Sequence, residues 1–182
     1  MIKKIGPWRR VSSRVVYENA WIRLFHDDVI TPGGTEGIYG RVNFKNHAVG
    51  VIPIDDDGNT WLVKQTRYPL DSESWEIPEG GSPKGEDILQ TARRELEEEC
   101  GLVAERWDKL IEIHTSNSVT DEAGTVFVAR GLAVGNQQLE VTEDIVLKKL
   151  PLQEAINMVL NGEITDSLSV AGLLRLAAGK SV

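Results

Sequence analysis

Residues 21–30 (WIRLFHDDVI) alternate, with Trp21 and Arg23 facing one way and Ile22 and Leu24 the other. A period of two predicts a strand. It ends at the turn formers Thr31-Pro32-Gly33-Gly34, and residues 37–44 resume as the return strand of a hairpin. Residues 47–54 (HAVGVIPI) form an apolar run of strand length, followed by a turn at residues 55–59. The three aspartates of that turn lack the spaced ligands and distal glutamate of a calcium loop, so they read as a hairpin connection. Residues 60–68 and 74–78 are the next expected strands.

The period then changes. A glycine-rich bend over residues 80–85 leads into a helix expected from Glu86 to Cys100. Its apolar stripe is Ile88, Leu89, Ala92 and Leu96, and Gly101 is placed to cap its C-terminus. Short strands are expected at residues 110–115 and 125–128, then a loop rich in Gly, Asn and Gln over 131–138, then a strand over 144–150. Pro151 suits the first turn of a helix running to Leu160. Asp166 or Ser167 caps a last helix to about Ala178, whose leucines 168, 173, 174 and 176 point to the core. Strands on both sides of one central helix predict an α+β fold built as an α/β/α sandwich.

Composition narrows the function classes. The 182 residues are 41% hydrophobic and 26% charged, as in an ordinary globular domain. A formal net charge of −8 disfavours nucleic acid, whose binding rests on clustered Lys and Arg. It is compatible with a small anionic substrate that arrives with a divalent cation. Cys100 stands alone, so no internal disulfide is possible. His26, His47 and His114 have no ligand spacing. The N-terminus lacks the apolar region of a signal peptide, and no run approaches a membrane span. A cytoplasmic protein without a membrane partner is therefore expected.

The chemistry concentrates in residues 80–102, GGSPKGEDILQTARRELEEECGL. On a helix, Glu95, Glu98 and Glu99 stand at i, i+3 and i+4, so three carboxylates leave one face. Such neighbours repel unless a cation offsets them. Clustered hard oxygen ligands suit Mg²⁺ or Mn²⁺ together with substrate phosphates. The glycine spacing is that of a phosphate-cradling loop, but Glu86 stands where that loop needs lysine.

The full pattern, G-x5-E-x7-R-E-(apolar)-x-E-E-x-G-(apolar), is matched from Gly80 through Leu102. It resembles the signature of the Nudix hydrolases, most strongly over residues 60–102 and more loosely over about 20–165. The resemblance implies the Nudix fold, a mixed sheet between helices, with residues 46–182 as catalytic domain. Residues 1–45 look like the small N-terminal antiparallel β segment of the ADP-ribose and nucleotide-sugar pyrophosphatase branch. There the segment is exchanged between subunits, so a homodimer is expected.

The same resemblance implies roles. Glu95 and Glu99 are first-choice metal ligands, with Glu98 third and the backbone carbonyl of Glu79 beside them; two or more Mg²⁺ or Mn²⁺ ions are expected with substrate bound. Arg94 pairs with Glu86 or Glu98 and holds the carboxylates, unless it makes only an i,i+4 surface pair. The general base in this branch comes from a later loop. Glu140 is the first candidate, while Glu143, in a Glu143-Asp144-Ile145 stretch similar to a metal-contacting one, is the second; the two roles can be exchanged. Residues 63–69 (VKQTRYP) and 75–80 (WEIPEG) look like the segments preceding the motif in ADP-ribose pyrophosphatases. This implies that Arg67 contacts a phosphate or the sugar and that Glu76 lines the pocket. Trp21 and Tyr39 align with aromatics that sandwich the base across the dimer. Trp8, Trp61 and Trp107 read as packing or surface residues.

One departure is visible: residues 115–122 (TSNSVTDE) occupy a loop that often carries a proline in ADP-ribose members. Its absence favours a broader nucleoside-diphosphate-sugar range, ADP-ribose or GDP-mannose among them. The alternatives are a house-cleaning hydrolase of nucleoside triphosphates or dinucleoside polyphosphates, and a non-catalytic nucleotide-sensing module.

Overall fold

The computed structural model describes residues 2–139 and 144–179. The chain forms two compact units, Met1–Asn46 with His114–Glu122, and His47–Ile113 with Ala123–Val182.

The first unit is a four-stranded antiparallel sheet in the order β1 (Lys3–Ile5), β2 (Trp8–Glu18), β3 (Ile22–Ile30), β4 (Glu36–Phe44). The β3–β4 hairpin follows from the alternation and its glycine turn. Strand β2 carried no such signal, because nearly all of its residues are exposed, and an element with no buried face shows no period of two. The segment 114–122 joins this unit through main-chain bonds. Val42 N–H donates to Val119 O at 2.8 Å and Asp121 N–H to Val42 O at 3.2 Å. The Asp121 carboxylate accepts from Phe44 N–H at 2.8 Å and from the Asn43 amide.

The second unit is layered. One sheet has the order β8 (Glu79–Pro83), β5 (Asn46–Pro53), β10 (Ala123–Val134), β9 (Leu102–His114), and β5 and β10 run parallel. The other has the order β11 (Val146–Pro151), β6 (Asn59–Arg67), β7 (Ser72–Glu76), all antiparallel. After its polar start at Asn46 and His47, β5 is apolar, and it is buried from Val49 to Pro53. Val49 and Val51 join Val63, Phe127 and Ala129 under Ala92 and Leu96 of α1 (Ile88–Cys100). Ile52 and Ile54 join Leu62, Val126 and Val128 under α2 (Leu152–Leu160) and α3 (Ser167–Ala177). Two cores on opposite faces make the α/β/α sandwich.

Four local expectations are corrected. Residues 79–83 are a strand rather than a bend, because they extend the sheet beside β5; the turn is shortened to residues 84–86, closed by Glu86 N–H donating to Pro83 O at 3.1 Å, with Gly85 at φ +93°. Helix α1 starts at Ile88 rather than Glu86, because the Asp87 carboxylate accepts from Leu89 N–H at 3.0 Å and caps it. Strand β10 runs on to Val134 through half of the expected loop, and β9 begins directly after Gly101. Pro151 ends β11 and stands at the cap position before Leu152, one residue outside the helix.

Packing makes a first test. Leu96 is fully buried between α1 and the sheet, whereas Leu160 is 68% exposed. Leu96→Ala is expected to cost about 2–5 kcal/mol in urea unfolding, and Leu160→Ala no more than about 0.5 kcal/mol.

Candidate active site

Helix α1 brings its acids to β8 because its apolar face must meet the sheet. Ala92, Leu96 and Cys100 dock downward, and Glu95 and Glu99, one turn apart, enter the same interface, 6% and 1% exposed. Buried carboxylates need donors. Glu79 N–H donates to Glu99 Oε2 at 2.9 Å. The Glu95 carboxylate lies against Gly80 so closely that a Cβ on Gly80 would fall on it. The motif glycine is thus explained by a cradle for a carboxylate. Gly101 closes the helix at φ +64° and donates to Glu97 O.

Arg94 bridges the array, with Nη2 at 2.8 Å from Glu95 Oε1 and Nη1 donating at 2.8 Å to Glu98 Oε2. The expected alternative partner, Glu86, instead accepts the Thr91 hydroxyl at 3.0 Å. Burial works against the Arg94 charge, but the neighbouring Glu95 charge and the bond to Glu98 hold its pKa above the ordinary value. Glu98 is more open, its side chain 29% exposed.

A second cluster adjoins the first through Glu79. Arg67, at the end of β6, donates from Nε to Glu76 Oε1 at 2.8 Å and from Nη2 to Glu79 Oε1 at 2.6 Å. Glu76, 2% exposed, is fully engaged by this fork. Asp166 completes the group: carboxylate oxygens of Glu76, Glu79 and Asp166 lie within 4.8 Å of one another. Asp166 also caps α3, accepting from Ser169 N–H and Oγ–H at 2.8 Å each, and Ser169 Oγ accepts from Ile77 N–H at 2.9 Å. Burial, then the charges of Asp166 and Glu76, push the Glu79 carboxyl well above the ordinary carboxylate range. Burial opposes the Arg67 charge, but the bond to Glu76 and the charges of Glu79 and Glu76 hold its pKa above normal. Burial, and secondarily Glu99, raises the Cys100 thiol, which makes it inert packing.

The structure therefore gathers Arg67, Glu76, Glu79, Arg94, Glu95, Glu98 and Glu99 in the second unit. Glu140 and Glu143 lie outside the described residues. Trp21 and Tyr39 belong to the first unit. Trp21, 68% exposed, stands at the β2–β3 turn, whereas Tyr39 pairs with Asp27 farther along β3. Tyr39 meets Trp8 edge-on at 5.5 Å between ring centres, and both line a cavity of about 310 Å³ with Asp27 and Arg41. Trp8, expected as a packing or surface residue, packs on Tyr39. Sequence reasoning also missed Asp166, seen only as a helix cap, and the side chain of Glu79; the first needed the topology, the second was masked by interest in its carbonyl.

The donor set tests well for a divalent cation. Glu95, against Gly80, and Glu99, on the Glu79 N–H, are hard oxygen donors, with Glu98 in the same turn of the helix. Arg67 compensates much of the Glu76–Glu79–Asp166 charge, so that group is the poorer cation site.

Comparison with known proteins agrees with this geometry. The family model described as "NUDIX domain" matches residues 45–165, and that described as "Nucleoside diphosphate sugar hydrolase N-terminal domain" matches residues 8–42. An ADP-ribose pyrophosphatase of Mycobacterium tuberculosis is 37% identical over 92% of this chain and 82% of its own. One of Bacillus subtilis is 33% identical over 87% of this chain and 86% of its own. The crystal structure of an ADP compounds hydrolase superposes with a TM-score of 0.85, covering 97% of this chain and 95% of that one, at 19% identity. That likeness shows a shared fold.

The Glu79 shift has a stability consequence. The folded chain retains a proton that the unfolded chain releases near pH 4.3 or so, the ordinary glutamate value. The benefit is complete below that pH and is lost as pH rises toward the folded value. In EDTA, Glu79→Gln is expected to gain stability relative to the parent as pH climbs from about 4 to 8, read by urea unfolding. A flat or opposite difference contradicts the assignment.

Proposed function

The chain belongs to the Nudix family, and we propose that it hydrolyses the diphosphate bond of nucleoside-diphosphate sugars. ADP-ribose would give AMP and ribose 5-phosphate, and GDP-mannose would give GMP and mannose 1-phosphate. The observation that carries the reading is the buried Glu95–Glu99 pair, fastened to Glu79 N–H and seated on Gly80. Two relatives over 30% identical along most of their length, both named ADP-ribose pyrophosphatases, support the substrate class.

Glu95 and Glu99, with Glu98 and the Glu79 carbonyl, would hold Mg²⁺ or Mn²⁺, two or more ions with substrate present. Bound, the cations supply Lewis acidity to the phosphoryl oxygens and acidify water. A water oxygen attacks phosphorus in line, its proton passes to a carboxylate, and the bond to the bridging oxygen breaks, so that oxygen departs with the other phosphate. Glu140 or Glu143 receives the proton. Arg94 holds Glu95 and Glu98 in place. Arg67, its side chain still 35% exposed, reaches a phosphate or the sugar while Glu76 fixes its orientation.

Trp21 and Tyr39 stack the base, an interaction worth about 1–3 kcal/mol. The active form is a homodimer in which residues 1–45 are exchanged. Val11, Val15, Val16 and Tyr17, each at least 44% exposed in one chain, favour such a partner. No helix among the described residues is long and apolar enough to cross a membrane. The protein works in the cytoplasm on small molecules, without nucleic acid.

A panel of nucleotide sugars and nucleoside triphosphates, assayed with Mg²⁺ and Mn²⁺ and products identified by mass, tests the reading. Nucleoside monophosphate plus sugar phosphate is expected; inorganic pyrophosphate from triphosphates as the main product would favour the house-cleaning alternative. Glu99→Gln is expected to lower kcat by about 10²–10⁴-fold, since a ligand's electrostatic contribution is several kcal/mol. Wild-type turnover by that variant would remove Glu99 from the metal site.

A further inference from the structure

The last turn of α1 carries Glu98 and Glu99, and its carbonyls have no partners within the helix beyond those Gly101 N–H supplies. One short segment after β10 meets them. Gln138 N–H donates to Glu98 O at 3.1 Å, and the Gln137 side-chain amide donates to Glu99 O at 2.7 Å. Gly135 N–H donates to Gly101 O at 2.8 Å, and Asn136 N–H to Glu97 Oε1 at 3.3 Å. The approach is close: a Cβ on Gly101 would stand 3.2 Å from Gln137 Cβ, and one on Gly135 3.1 Å from Glu97 Oε1.

We propose that Gln137 is a positioning residue for the metal-binding carboxylates, holding the end of α1 so that Glu99 stays opposite Glu79 N–H. Three of these four contacts use main-chain donors, which almost any residue could supply. The bond to Glu99 O alone uses a side chain on both counts of identity and length. It falls on the residue whose carboxylate is the most buried of the array. The helix end therefore has two fastenings on one residue: Glu99 Oε2 to β8 on the side-chain side, Glu99 O to Gln137 on the main-chain side. Loss of the second lets the turn fray and moves the first. Gln137 itself lies at the surface, so replacing it opens no cavity.

This rests on the metal reading given above. The test is Mn²⁺ titration of the full-length chain by electron paramagnetic resonance, without substrate, alongside thermal unfolding in EDTA. Gln137→Met keeps the length and removes both donors. Gln138→Ala is the control, because among the described residues Gln138 bonds α1 through its backbone N–H. Gln137→Met is expected to weaken Mn²⁺ binding by about 10–100-fold, the usual effect of removing a group that orients a metal ligand. Its Tm in EDTA should stay within a few degrees of the parent, and Gln138→Ala should bind as the parent does. Equal Mn²⁺ affinity in parent and Gln137→Met, or equal weakening in both variants, overturns the inference. Amide exchange adds a second arm: faster exchange confined to residues 97–101 supports it, and faster exchange throughout the fold overturns it by making Gln137 a general stabiliser. A parent chain that takes up no Mn²⁺ would instead overturn the metal reading.

Discussion

The bond from Glu79 N–H to the Glu99 carboxylate joins the helix that carries the acids to the strand that faces them. Neither side holds alone. Clustered carboxylates on an isolated helix repel, and a carboxylate moved from water to an interface loses its hydration. The helix accepts this cost because burial of Ala92, Leu96 and Cys100 leaves Glu95 and Glu99 no other direction. Compensation is then local: a main-chain donor for Glu99, the Arg94 guanidinium for Glu95 and Glu98, and a glycine for clearance. The arrangement gathers three carboxylates at one place, and hard oxygen donors in a cluster are what a divalent cation requires.

The same reasoning explains the Arg67 cluster. Its members come from the end of β6, the end of β7 and the start of β8, which are neighbours in sequence, and from the cap of α3, which is distant. Burial, and then the charges of Asp166 and Glu76 beside it, raise the Glu79 carboxyl well above the ordinary carboxylate range. Ser169 ties the cap of α3 to Ile77 N–H, so the α2–α3 layer and the α1 layer meet at the residues 76–80. The Glu95–Glu99 array beside β8 is therefore braced from both faces of the sandwich.

How much of this was legible depended on whether a feature is local. Helix α1, its stripe and its Gly101 cap were readable because helical period and left-handed caps are written within a few residues. The role of Gly80 was readable only as a pattern; its reason, the Glu95 carboxylate against its Cα, belongs to tertiary packing. The start of α1 moved by two residues because an aspartate cap outranked the motif glutamate, which turned to Thr91. Strand β2 was hidden because it buries neither face in one chain. Asp166 and Gln137 were hidden for a different reason: a capping acid and a loop amide look ordinary until the fold sets them against Glu79 and Glu99.

The N-terminal unit sets a geometric condition on any base held between Trp21 and Tyr39. Trp21 precedes the pair Ile22–Phe44, and Tyr39 lies opposite Asp27. Five steps along β3 separate the two pairs, or roughly 17 Å at the rise of a strand. A base stacked on both faces needs its two aromatics only about 7 Å apart, twice the contact distance of carbon atoms. Within one chain the backbone positions that carry the two rings are more than twice that far apart, by the same strand rise of roughly 17 Å. Tyr39 has its own chain's neighbours instead, Trp8 at its edge and Ser118 O accepting its hydroxyl. A base stacked on both rings would thus draw Trp21 from one copy and Tyr39 from another, which ties the aromatic sandwich to a dimer.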